Sequence, residues 1–136
     1  MVRDAVKWLF AVPEEPRPWW KVITWWEIRR IPYNLICGGV GFISLLLFFH
    51  FINVVGELKP GEDAIEPMAL FAAPFLINIA YTAGWVAELF LRFVWRDNIA
   101  RLGPALLKLG FSFSLFVILL PSVFWFLMWV YRSVTH

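Results

Sequence analysis

The chain reads as an all-α integral membrane protein, with three transmembrane helices preceded by an N-terminal amphipathic interfacial helix. Three observations carry that reading. Of 136 residues, 61% are hydrophobic and 16% charged, with a mean hydropathy of +0.71, whereas soluble domains are roughly 45–50% apolar and 25% charged. A chain this short leaves about a third of its unfolded-chain surface exposed after folding, so lipid must cover the excess apolar surface. Three apolar runs also reach the ~20 residues that a helix needs to cross a bilayer. Finally, nine tryptophans supply the anchors favoured at membrane–water interfaces.

Residues 1–32 form a Trp-rich cytoplasmic and interfacial segment, and residues 33–136 the transmembrane domain. Residues 2–12 suit a short amphipathic helix, which the run Pro13-Glu-Glu-Pro-Arg-Pro18 breaks because proline lacks an amide donor and clashes with the preceding turn. From Trp19 to Arg30 a second helical pattern puts Trp19, Val22, Ile23, Trp26 and Arg30 on one face, with Lys21, Glu27 and Arg29 elsewhere. Indoles at headgroup depth and basic groups toward anionic lipid describe a helix lying in the interface. The same residues, Trp19, Trp20, Trp25, Trp26, Glu27, Arg29 and Arg30, also suit a docking surface for a partner, since Trp and Arg are favoured interface anchors. Pro32 is expected to turn the chain into the first span.

The spans are expected at about 33–55, 68–91 and 105–131, with Pro67 where a helix start tolerates proline. Hydrocarbon offers backbone groups no partner, so the spans should be helices. Gly38 and Gly41 in span one, Ala80 and Gly84 in span two, and Gly110 and Ser114 in span three are small residues that let helix backbones approach closely. Pro121 should kink span three and free the Val117 carbonyl.

Six Lys and Arg precede span one and four flank the turn between spans two and three, against Lys59 and Arg132 on the other side. The positive-inside rule then places the N-terminus in the cytoplasm and the C-terminus outside, as expected of a multi-pass plasma-membrane protein such as one of a bacterial inner membrane. The loop between spans one and two, with Glu57, Glu62, Asp63 and Glu66, reads as a solvated external loop.

Span two carries the strongest polar signal. Pro74, Asn78, Tyr81, Trp85, Glu88 and Arg92 recur at steps of three and four, so they line one helical stripe. A carboxylate in a span is costly and needs a partner. Arg92 follows Glu88 in the favourable i,i+4 order, and Lys108 in span three should lie at similar depth. Either Glu88 forms a structural ion pair with Arg92 or Lys108, with Arg29 or Arg30 also within reach from the interface helix, or Glu88, Asn78 and Tyr81, with Trp85 on the same stripe, line a pore.

Catalysis is not expected. No nucleophile with its base, metal cluster or phosphate-binding loop is evident, and no cofactor is implied. The single cysteine, Cys37, excludes both an intrachain disulfide and a paired-Cys metal site. Basic residues are scattered, which argues against nucleic acid. The expectation is therefore a non-catalytic scaffold or accessory subunit acting through helix packing in a homo-oligomer or a larger membrane complex. The alternative is a homo-oligomeric pore or channel lined by the span-two stripe.

Overall fold

The computed structural model describes residues 1–56, 67–95 and 100–135. Among these the chain is helical with short connections and no strand: α1 (Val2–Leu9), α2 (Trp19–Val55), α3 (Pro67–Val94) and α4 (Leu102–Thr135). Three helices, within Trp19–Val55, Phe71–Val94 and Leu102–Thr135, are long and apolar enough to cross a membrane. Such a set fits a multi-pass membrane protein. The acidic loop residues Glu57, Glu62, Asp63 and Glu66, together with Lys59, Arg96 and His136, lie outside the described residues.

The expected turn at Pro32 is absent. α2 runs unbroken through it for 37 residues, about 55 Å at 1.5 Å per residue. Proline here removes one helical hydrogen bond, yet the buried face continues in phase across it as Val22, Trp25, Trp26, Arg29, Tyr33 and Cys37. Packing of that face outweighs the missing bond. The Trp19–Arg30 pattern is thus the first third of a long helix. Of the face expected from Trp19, Val22, Ile23, Trp26 and Arg30, Val22 and Trp26 are buried; Trp25 and Arg29 complete the buried side, and Trp19 is exposed. α2 ends at Gly56, whose φ of 67° and ψ of 31° lie in the left-handed region that glycine enters without steric cost. Arg132 donates to the carbonyl of Val55 at 2.8 Å, supplying a cation and a donor where the last carbonyls lack helical partners.

α1 has only eight residues, too few for an isolated helix to persist in water. Docking sustains it. Leu9 is buried, Phe10 meets Phe111 edge-on at 5.9 Å, and Arg29 donates from Nε to the Leu9 carbonyl at 2.8 Å and from Nη2 to the Trp8 carbonyl at 2.9 Å. This guanidinium lies between the Trp8 and Trp25 rings, 4.6 and 4.0 Å from their centroids, and so caps α1 as well as pinning it to α2.

α2 and α4 pack together along much of their length, and α3 leans on both near the N-terminal end of α2. The core sits at that end as a chain of ring contacts: Trp25–Trp26 (5.6 Å), Trp26–Tyr81 (5.3 Å), Tyr81–Tyr33 (4.5 Å) and Tyr33–Phe111 (4.9 Å). Both tyrosine hydroxyls inside it are paired. Tyr33 and Ser114 share a 2.7 Å hydrogen bond, and the Tyr81 hydroxyl donates to the Trp26 carbonyl. Farther along, Ser44 donates to the Ile118 carbonyl at 2.7 Å and its oxygen meets the Ser122 hydroxyl. α4 continues through Pro121. The carbonyl that Ser44 takes is therefore one residue beyond Val117, which loses its helical donor to the proline.

Candidate functional site

The most concentrated chemistry lies where the segment between α1 and α2 meets the C-terminal part of α3. Three prolines, Pro13, Pro16 and Pro18, keep residues 13–18 out of a helix because each fixes φ and lacks a donor. The strap places Glu15 and Arg17 against α3. Glu88, with no exposed surface, receives Arg17 Nη2 at 2.5 Å and Arg92 Nε at 2.9 Å on Oε1, and Trp26 Nε1 at 2.6 Å on Oε2. Glu15 closes the ring. Its carboxylate takes Arg17 Nε at 3.0 Å and Arg92 Nη1 and Nη2 at 3.1 and 2.6 Å.

The four charges alternate, so each acid touches both guanidiniums and the group is neutral overall. That balance is required, because a buried charge without a partner costs several kcal/mol. Arginine suits the role through its fixed fork of donors, which can serve two carboxylates at once. The first turn of α4 completes the enclosure. A β-carbon at Gly103 would come within 2.7 Å of Glu88 Oε2, so the helix can approach the carboxylate only at glycine, with the positive end of its dipole toward it. Burial acts to raise the pKa of Glu15, but the hydrogen bonds and positive charges of Arg92 and Arg17 outweigh it and hold the carboxyl below its ordinary range.

From Tyr81 to Arg92 the span-two stripe faces inward, whereas Pro74 at its other end is exposed and Asn78 is half-buried. Asn78 and Asn34 exchange amide hydrogen bonds at 2.8 and 3.1 Å, Tyr81 belongs to the aromatic core, and Trp85 packs against that core. Arg92 is in the charge ring. Lys108 is not: its ammonium lies over the Phe10 ring, 5.5 Å from the centroid, and the side chain is exposed. Among the described residues the ion pairs of Glu88 are those with Arg17 and Arg92.

The expected docking surface divides. Trp25 and Trp26 are 9% and 1% exposed, and Arg29 caps α1, so these three are core. Trp19 and Trp20 remain exposed. Glu27 pairs with Arg30 at 2.7 Å, and Arg30 also donates to Thr82 at 2.9 Å and Asn78 at 3.3 Å.

Of the small residues, Gly84 makes the closest approach. A β-carbon there would stand 2.8 Å from the Trp26 ring, below any ordinary van der Waals contact. At Gly41 it would meet Ile118 at 3.7 Å, and at Gly38 and Gly110 nothing within 4 Å. Ala80 is exposed, and Ser114 is buried through its bond to Tyr33.

Sequence reasoning missed Glu15, Arg17 and Gly103, and did not connect Trp26 with Glu88. The available signal was a Pro-rich segment that alternates charge, Glu15-Pro-Arg17, beside a span containing an i,i+4 acid–base pair. Comparison with protein-family models, with curated proteins and with solved structures finds no match. Chemically, Glu88 has three donors and no access to solvent. It is suited to tying four segments together.

Proposed function

We propose that the protein is a non-catalytic integral membrane scaffold or accessory subunit that works through helix packing in a homo- or hetero-oligomeric membrane complex. One observation carries the reading: Glu88, the acid on which a pore would depend, is wholly enclosed by Arg17, Arg92 and Trp26 of its own chain. Asn78 is similarly engaged by Asn34. The Glu88 carboxylate and the Asn78 side chain are thus engaged within the subunit, while α3 offers neighbours an apolar surface, with Phe71, Phe75, Ile79 and Phe90 all more than 60% exposed. A surface of that kind suits lipid or another helix packed through dispersion contacts.

In this reading the N-terminus is cytoplasmic and the C-terminus external, following the Lys and Arg distribution, as in a bacterial inner membrane. The exposed Val2, Val6 and Trp8 let α1 lie in the headgroup region beside the exposed Trp19 and Trp20. A Thr135→Cys variant labelled by an impermeant maleimide from outside intact cells tests the orientation; labelling only from the cytoplasmic side overturns it.

The scaffold reading is tested by the mass and composition of the complex extracted gently from its native membrane. Co-purification in fixed ratio with unlike subunits supports it. A ring of this chain alone, with a conductance that Glu88→Gln alters in reconstituted bilayers, overturns it in favour of the pore.

A further inference from the structure

Between α2 and α3, away from the charge ring, lies an open groove of about 680 Å³. Its polar lining is Arg30, Asn78 and Thr82, and its apolar lining includes Pro74, Phe75 and Ile79. We propose that this groove binds one glycerophospholipid whose headgroup carries both a phosphate and a primary amine, of the phosphatidylethanolamine type, in the leaflet on the side of the N-terminus. The inference rests on the bilayer setting of the chain and is independent of the choice between scaffold and pore.

Depth is the first argument. Arg30 precedes by one turn the apolar run Tyr33–Val55, whose 23 residues make about 34 Å of helix, close to the ~30 Å hydrocarbon thickness. Measured along α2, its guanidinium therefore stands at the N-terminal edge of that run, within reach of a lipid phosphate. Contacts of Trp26 with Tyr81, Arg30 with Asn78, and Tyr33 with Ile77 show α3 running antiparallel to α2. Pro74 and Phe75 thus lie on the bilayer-centre side of Thr82, where an acyl chain would run.

Charge is the second. Arg30 sits beside Glu27, with side chains 25% and 42% exposed, so the groove rim presents one cation and one anion. A purely anionic headgroup would face the Glu27 carboxylate, and a headgroup with both charges matches the pair. Arginine has five N–H donors, and Arg30 uses three, on Glu27, Thr82 and Asn78. Of the two left, Nε is buried without a partner among the described residues, and the second Nη1 hydrogen is available to a phosphate oxygen. Among the described residues Glu27 accepts through Oε1 alone, leaving Oε2 for an ammonium. A quaternary choline cannot donate to it.

The test is native mass spectrometry of the full chain in mild detergent, titrated with phosphatidylethanolamine, phosphatidylglycerol and phosphatidylcholine of identical acyl chains. One phosphatidylethanolamine per chain should survive activation that strips the other two. Arg30→Gln should cut its retention roughly tenfold, the loss of one charge-assisted hydrogen bond. Glu27→Gln should equalise phosphatidylethanolamine with phosphatidylcholine. Ala83→Phe, which places a ring in the groove at a residue outside the hydrogen-bond partners of the Arg30 side chain, should likewise cut retention by roughly tenfold or more and guards against a folding effect of Arg30→Gln. Equal retention of the three lipids, or unchanged retention in Ala83→Phe, overturns the proposal. The mass of the native complex reads the scaffold proposal separately, so either can fail alone.

Discussion

Single contacts decide how closely the helices approach. Gly84 and Gly38 are both helical glycines in apolar spans, and their surroundings predict opposite responses to a methyl group. At Gly84 the methyl would stand 2.8 Å from the Trp26 ring, so Gly84→Ala must displace a ring that also donates to Glu88; overpacking of this kind costs about 1–3 kcal/mol. At Gly38 nothing lies within 4 Å, and alanine should be neutral or stabilising by up to about 1 kcal/mol through helix propensity. Thermal unfolding of the two variants in one detergent should separate them, and equal midpoints would show that Gly84 is not a close-approach site. Gly84 was legible as a small residue in a span. That it differs from Gly38 was not, because the difference depends on which ring faces it from another helix.

At the scale of elements, periodicity and apolar length located the three long helices, since those signals are local. The segment before them was read less well. A proline at position 32 suggests an end, but the face from Val22 to Cys37 stays in register across it, and only the packed partner helices make that continuity worth one missing hydrogen bond. α1 depends on a neighbour in the same way. Its last carbonyls are taken by Arg29, so Arg29→Gln removes a charged cap and two indole contacts, at a cost of about 1.5–3 kcal/mol for charged hydrogen bonds. The expected outcome is local: amide exchange should speed up across residues 2–10 and stay slow in the middle of α2 and α4. Uniformly faster exchange throughout the chain would mean that α1 is not a separately docked element.

For the whole molecule, the charge ring is where strap, α2, α3 and α4 meet, and its dependence on pH and on composition follows from its alternating charges. Because the folded pKa of Glu15 is depressed, its contribution is complete above the unfolded value of about 4.3 and is lost as pH falls through the lower folded value. Unfolding midpoints of the wild type should therefore fall more steeply than those of Glu15→Gln as pH drops below about 4.3; parallel curves would rule out a paired Glu15. Removing one member has a larger effect than removing a neutral pair. Glu88→Gln leaves Arg17 and Arg92 sharing only Glu15, and breaking a buried pair from one side costs about 3–5 kcal/mol. Glu88→Gln with Arg92→Gln restores one acid to one base, so the double variant should be more stable than the sum of the single losses predicts, with a coupling of about 0.5–3 kcal/mol. Additive losses would mean that the two charges do not act through each other, and the ring would then reduce to separate contacts at the end of α3. The i,i+4 spacing of Glu88 and Arg92 made half of this ring readable from sequence. The other half came from a strap 71 residues away, which only the fold brings to the same place.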